Sequence, residues 1–130
     1  MHVFRSSGVA LGPADPGNFL GSAHAKAMAA ADVGGVSLHL YYVTFDTGAR
    51  NNWHTHTGPQ WLIVVDGSIR VQAWGEPAVD LEAGDAIAIE PGLKHWHGAT
   101  PGRSGTHYAI NVNAQTTWLE RVSDEQYAGR

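Results

Sequence analysis

The feature that most limits how this chain can fold is its division into short strand-forming segments separated by glycine and proline turn signals. The segments rich in β-branched and aromatic residues are residues 36–45, 60–65, 68–74, 86–90 and 106–113. The dipeptide Asp66-Gly67 lies between two of them and is typical of a tight β-hairpin. Short strands at such regular spacing predict an all-β protein, built as a sandwich or a barrel.

Three regions fall outside this strand pattern. In residues 18–28 alanine favours helix, whereas Gly21 and the strand-rich surroundings favour an extended segment. Ser123 is expected to cap a short C-terminal helix, with Gln126 completing a capping box. Residues 1–17 are rich in glycine and proline, so we expect an N-terminal arm followed by one domain over residues 18–130.

Composition excludes several classes of partner. The net charge is -4 and no run of lysine or arginine exists, so neither a nucleic acid nor an anionic membrane surface is expected as a partner. The longest strongly apolar run, WLIVV, is far too short to span a membrane. With no signal-peptide pattern and no cysteine, we expect a cytoplasmic protein. The lack of cysteine also restricts any metal to nitrogen and oxygen ligands.

The eight histidines are the one unusual feature of the composition. His54 and His56 share one face of a strand because side chains alternate across a strand. A Gly-Pro break follows, so Gln60 can begin a neighbouring strand beside them, and His95 and His97 again share one face. If these strands meet inside a barrel, imidazoles and an amide oxygen converge. Such ligands suit divalent Mn, Fe, Co, Ni or Zn.

The spacing of these residues resembles the two sequence motifs of the cupin superfamily. The residues that match are Gly48, His54, His56, position 60 and Gly67 in the first motif, and Gly84, Gly92 and His95 in the second. The resemblance covers residues 48–99, and strand-like flanks extend it over most of the chain. It implies a double-stranded β-helix, a jelly-roll barrel, carrying a short C-terminal helix here. It also implies one divalent metal, bound by His54, His56, Gln60 and His95.

The stretches WHTH, PGLKHWHGATP and THYAIN resemble a narrower group of small bacterial cupins. This group is often described alongside carboxymuconolactone-decarboxylase-type proteins and includes manganese-dependent hydroxynitrile lyases. The resemblance implies manganese as the favoured metal and His107 as the catalytic acid or base near it. Asn111 is expected in the substrate pocket, where that group usually has a longer glutamine. His97 is expected to line the pocket, to orient a metal ligand or to lie at the rim.

The chain departs from the general cupin pattern at three positions. Gln60 replaces the usual glutamate, Glu90 stands where proline is common, and Ala99 replaces a terminal asparagine. The first change concerns a ligand. Three imidazoles and an amide are all neutral, so the metal would keep its full double positive charge. This favours Lewis-acid chemistry over oxygen activation at a carboxylate-bearing iron site.

These observations predict a metal-dependent lyase for a small-molecule substrate, which cleaves a cyanohydrin, decarboxylates or isomerises. The alternatives are a cupin that binds a metal or metabolite without turnover, and a metal-dependent dioxygenase. Strand 60–65 is apolar on both faces, so we expect sheet packing or a homodimer to cover it on both sides. Trp53 and Trp96 point away from the metal histidines and are expected in a core or an interface.

Overall fold

The structure is a computed structural model that describes residues 1–129, and nearly all of its regular structure is antiparallel β-strand. The all-β prediction is therefore confirmed. A short 3-10 turn at Ser6–Gly8 precedes the first strand. The strands are β1 (Gly12–Pro13), β2 (Phe19–Leu20), β3 (Ala23–Val33), β4 (Val36–Phe45), β5 (Arg50–Asn51), β6 (His54–His56), β7 (Gln60–Ala73), β8 (Val79–Glu82), β9 (Ala86–Ile89), β10 (His95–Ala99), β11 (Gly105–Val112) and β12 (Thr116–Trp118), followed by helix α1 (Asp124–Tyr127).

The strands form two layers that curl around an apolar interior, which gives the jelly-roll architecture. The first sheet runs in the order β1, β3, β4, β11, β7 and β9, and the second contains β2, β5, β10, β7 and β8. β6 lies between β10 and β12 at the end of the second sheet. Large buried side chains such as Phe45, Leu62 and Ile69 fill the space between the layers. No helix within residues 1–129 is both long enough and apolar enough to cross a membrane.

The prediction of a hairpin at Asp66-Gly67 is wrong. Residues 60–73 form one continuous strand, β7, whose first part pairs in the first sheet and whose second part pairs in the second. Gly67 has a φ of 64° and lies against the backbone carbonyl of Ser104, where a Cβ atom would collide. The dipeptide therefore bends the strand from one sheet into the other. Pairing along the whole strand outweighs the local tendency to turn.

The ambiguous segment 18–28 is extended and contributes β2 and about half of β3. β3 pairs with β4 along nearly its whole length, so tertiary pairing overrides the helical preference of its alanines. Within residues 1–17, Gly12 and Pro13 pair with His24 and Ala25 of β3. The end of the expected arm is thus the edge strand of the first sheet.

Helix α1 begins with the predicted capping box. The backbone N–H of Gln126 donates to Ser123 Oγ at 3.1 Å, and the backbone N–H of Ser123 donates to Gln126 Oε1 at 2.9 Å. The helix places Tyr127 against Trp53 and Trp96, which are 2% and 0% exposed. The prediction that these tryptophans lie in a core is confirmed.

The outer face of the first sheet is apolar and is not covered by a second layer within residues 1–129. Leu62 and Val64 point inward and are buried, whereas Trp61, Ile63 and Val65 are 48%, 37% and 44% exposed. The expectation that sheet packing covers both faces of this strand is therefore wrong for the single chain, because the two sheets meet only through their inner faces.

Candidate metal centre and cavity

The four ligands expected from the sequence lie together in the interior of the barrel. β10 begins with His95 directly opposite His54 of β6, so the antiparallel register brings these two rings together. The ring centroids of His54 and His95 are 4.2 Å apart, and those of His54 and His56 are 4.9 Å apart. Gln60 is the first residue of β7, and its Oε1 lies 3.1 Å from His95 Nε2. All four side chains are buried.

The backbone fixes the tautomers of two of these rings. His54 Nδ1 donates to the carbonyl of Asn52 at 2.7 Å, and His95 Nδ1 donates to the carbonyl of Leu93 at 2.8 Å. A carbonyl oxygen can only accept, so in each neutral ring Nε2 keeps its lone pair. His56 is held in a similar way, with Nδ1 2.8 Å from Thr116 Oγ1. Metal-binding histidines are commonly supported through their other ring nitrogen in this manner.

Burial keeps these histidines neutral. It lowers the pKa of His54 well below its usual range, and the neighbouring His95 and His56 lower it further. Burial also lowers the pKa of His95 to about 4, and it lowers the pKa of His56. Three neutral imidazoles near pH 7 are in the protonation state that binding of a metal requires.

Two features of the hydrogen bonding make this group of residues suitable for a cation. His56 Nε2 is buried and has no hydrogen-bond partner among the described residues. Gln60 Nε2 donates to Asn111 Oδ1 at 2.8 Å, which turns Gln60 Oε1 toward His95 Nε2. Two lone pairs then face each other at 3.1 Å with no proton between them. A divalent metal that accepts both lone pairs would convert this repulsion into ligation.

A second combination of histidines is also compact. Nitrogen atoms of His54, His95 and His97 lie within 4.8 Å of one another, so three buried histidines could hold a metal here. His56 is outside this tighter set, although its ring centroid is closer to those of His54 and His95 than the centroid of His97 is. The hydrogen bonds favour His56 over His97 as the third imidazole ligand, because His56 Nε2 has no hydrogen-bond partner among the described residues. The ligand set expected from the sequence stays a prediction.

His97 and His107 form a buried pair beside this cluster. His107 Nε2 lies 2.9 Å from His97 Nδ1. Asn51 Nδ2 lies 3.2 Å from His97 Nε2 and 3.3 Å from His97 Nδ1, within hydrogen-bond distance of both nitrogens. Asn51 Oδ1 also accepts the backbone N–H of His97 at 2.9 Å. These contacts hold the His97 ring against Asn51 and His107.

A cavity of about 480 Å³ opens from the cluster. Its polar lining includes Asn51, His54, His56, Gln60, His97, Asn111 and Thr116, and its apolar lining includes Phe19, Ala25, Tyr41, Val43, Ala109 and Trp118. His97 is only 4% exposed, so it lies in the cavity wall and not at the rim. Asn111 lies in the same wall. Whether either residue contacts a substrate stays a prediction.

His107 lies behind His97 and is not part of the cavity lining within residues 1–129. It is fully buried, and burial lowers its pKa to about 4. The sequence placed the acid or base near the metal, and the structure puts His97 between His107 and the cavity. His107 contacts the ring of His97, which lines the cavity, and the catalytic role expected for His107 stays a prediction.

Some cavity residues carry no signal in the sequence. The ring centroid of Trp118 lies 4.6 Å from that of His54, with the ring planes tilted by 40°, because β12 pairs with β6 so that Trp118 is opposite His54. Thr116 supports His56 for the same reason. Asn51 is an odd number of residues before His54 and His56, so strict alternation of side chains would place it on the opposite face. The pairing of β12 with β6, and of β5 with β10, depends on long-range contacts that strand periodicity does not reveal.

Comparison with known proteins gives consistent matches. Residues 41–111 match the family model described as "Cupin domain". Over 88 residues, 65% of this chain and 67% of the relative, the chain is 44% identical to the (R)-mandelonitrile lyase of Granulicella tundricola. A cupin-like protein from Thermotoga maritima, known from its crystal structure, matches with a TM-score of 0.84 and 35% identity over 88% of this chain and 89% of that chain. A cupin 2 conserved barrel domain protein from Rhodopseudomonas palustris matches with a TM-score of 0.72 and 18% identity over 93% and 88%, which shows the fold alone.

Proposed function

The chain belongs to the cupin family, and on that premise we propose that it is a divalent-metal-dependent lyase acting on a small cyanohydrin. The proposal is supported by the 44% identity to a protein named (R)-mandelonitrile lyase. The observation that carries it is a neutral, metal-compatible cluster next to a buried histidine pair, of which His97 lines the same cavity. A metal held by the cluster would stabilise the negative charge that develops on the substrate oxygen during cleavage. The histidine pair can accept the hydroxyl proton and pass it to the leaving cyanide.

We assign the metal to His54, His56, His95 and Gln60, with manganese as the first candidate and Fe, Co, Ni and Zn as the others. When bound, the ion supplies a Lewis acid that stabilises negative charge on a substrate oxygen. The four protein ligands are neutral, so none of them reduces the charge of the ion. Their backbone and threonine contacts hold the rings in place before the ion arrives.

His97 is the group in the cavity wall that exchanges the proton. We assign the proton between the two rings to His97 Nδ1, which then donates to His107 Nε2 and stabilises the charged ring while His97 Nε2 accepts the proton of the cyanohydrin hydroxyl. The O–H electron pair becomes the second bond of the carbonyl group. The carbon–carbon electron pair leaves with cyanide, which then takes the proton from His97 Nε2. The products are an aldehyde and hydrogen cyanide, and the histidine pair returns to its starting state.

The apolar side of the cavity sets the class of substrate. Phe19, Val43 and Trp118 contribute apolar surface to the lining of the same cavity. A cavity of this size lies within the range of roughly 300–1,000 Å³ that is usual for small-molecule sites. An aryl or alkyl cyanohydrin can place its hydrocarbon part there and its hydroxyl group toward the histidines.

We expect the manganese-loaded chain to release benzaldehyde from mandelonitrile faster than the metal-stripped chain does. The measurement is ultraviolet absorbance of the aldehyde in an acidic buffer that suppresses the uncatalysed reaction. Adding the metal back should restore the rate. Tight metal binding without any turnover would instead support a non-catalytic cupin. Oxygen consumption by the iron-loaded chain with candidate substrates would support a dioxygenase.

We also propose that two copies of the chain pair through the outer face of the first sheet. Leu40, Ile110 and Trp61 lie in one row across three paired strands of this face. Phe4 of the arm lines a small apolar pocket together with Leu38 and Leu40. Five strands about 4.8 Å apart and three rows of side chains about 7 Å apart make a flat face of about 500 Å². A stable interface buries about 800 Å² of accessible surface on each partner. The sheet face supplies most of this area, and we expect the N-terminal arm to supply the rest.

Replacing Trp61 with glutamate should convert the dimer into a monomer in analytical ultracentrifugation, because each copy would bury a charge in the interface. Val79→Glu is the matched control, since Val79 is 47% exposed but lies on β8 of the other sheet. A wild-type chain that sediments as a monomer at all concentrations would refute the proposed pairing. The same conclusion would follow if both glutamate variants stayed dimeric.

A further inference from the structure

The side chains of Gln60 and Asn111 form a directly opposed pair on neighbouring strands. β7 and β11 are paired so that Asn111 lies opposite Gln60. Both side chains point to the interior and are 7% exposed or less. Their amides are joined by one hydrogen bond, in which Gln60 Nε2 donates to Asn111 Oδ1 at 2.8 Å.

This hydrogen bond allows only two orientations of the pair. An amide has a donor end and an acceptor end, and two donors or two acceptors cannot face each other favourably. If Gln60 rotates by half a turn, Asn111 has to rotate as well. In the observed orientation Gln60 Oε1 faces the histidine cluster, 3.1 Å from His95 Nε2. In the alternative, Gln60 Nε2 would face the cluster and could not ligate a cation.

The orientation matters because position 60 holds an amide. A glutamate has two equivalent oxygens and presents one of them to the cluster whichever way it turns. A glutamine presents an oxygen in only one of its two orientations. We propose that Asn111 is a positioning residue that holds the Gln60 amide with Oε1 toward the metal. The inference rests on the metal centre of the proposed function, but not on the lyase reaction.

A double-mutant cycle on metal affinity tests this role. Affinity for Mn²⁺ is measured by calorimetry on the metal-stripped full chain, for the wild type, Asn111→Leu, Gln60→Glu and the double variant. Asn111→Leu keeps the approximate size but removes the acceptor, so we expect affinity to fall by roughly 10–100-fold, as for other groups that support a ligand. In the Gln60→Glu background Asn111→Leu should reduce the affinity for Mn²⁺ much less, because either oxygen of a carboxylate can face the metal. Asn111→Asp should retain affinity, since its oxygens still accept from Gln60 Nε2.

Two results would overturn the inference. An equal loss in both backgrounds would mean that Asn111 supports the barrel in general and not the orientation of the amide. No loss in either background would mean that Gln60 orients itself. The melting temperature of each metal-free variant shows whether the fold is intact, and Asn111→Ala, which also removes the acceptor, takes the place of Asn111→Leu if that variant fails to fold. Failure of the wild type itself to bind Mn²⁺ would refute the metal centre, which is a separate outcome from a failed cycle in a chain that binds.

Discussion

Replacing His54 or His95 with alanine should leave a chain that folds but holds almost no metal and has lost its lyase activity. Each change removes one of four proposed ligands from a buried cluster whose rings are held by hydrogen bonds. The loss of affinity should exceed the roughly 10–100-fold that removing a group behind a ligand costs. Metal content after dialysis, measured by mass spectrometry together with turnover of mandelonitrile, gives both readings on one preparation.

The same experiment compares the two ligand sets. His56→Ala should remove the metal as His54→Ala does, whereas His97→Ala should retain most of it. The opposite pattern would assign the third imidazole to His97, as the tighter nitrogen cluster allows. His24→Ala is the matched control, because His24 is a half-buried strand histidine outside the cluster. Full occupancy in the His54, His56 and His95 variants would refute the ligand assignment altogether.

The second large effect is expected at the histidine pair. His97→Ala should retain the metal and lower the rate by roughly 10²–10⁴-fold, the usual contribution of a positioned acid or base. His107→Ala should have an effect in the same direction, because the Nδ1–H of His97 would lose its acceptor. Turnover and metal content are measured on the same samples, so loss of the metal is separated from loss of proton transfer.

His107 is fully buried between His97 and Phe45, so alanine there leaves a void as well as removing a ring nitrogen. His107→Gln is the better-matched variant, since it fills much of the space but has no titratable group. A low rate with full metal content in His107→Gln supports the mechanism in which His97 exchanges the proton and His107 stabilises the charged His97 ring. An unchanged rate would make His107 a structural wall residue, and loss of metal would make it a ligand.

The all-β fold and the placement of His54, His56 and Gln60 on neighbouring strands were predictable from the sequence because both depend on short-range regularities. The alternation of side chains puts His54 and His56 on one face, and the Gly-Pro break places Gln60 at the start of the next strand. Helix α1 was predictable for the same reason, because a capping box involves only Ser123 and Gln126, three residues apart. The matching cupin motifs then indicated how the histidine-bearing strands meet.

Other features depend on which strands lie side by side, and short-range patterns contain no information about that. Asp66-Gly67 has the local preference of a hairpin. However, β7 pairs with β11 up to this dipeptide and with β10 after it, so the dipeptide only bends the strand. Residues 18–28 have helix-forming alanines, but the hydrogen bonds offered by β4 make them a strand.

The sequence by itself determined that three imidazoles and an amide would be available on strands of a β-barrel. Only the tertiary structure decided that Asn111 would face Gln60 across β7 and β11 and turn its oxygen toward His95. It also decided that His97 would lie between His107 and the cavity. The physical reason is that hydrogen-bond direction and access to a cavity depend on the register between distant strands, which is fixed when the whole barrel closes.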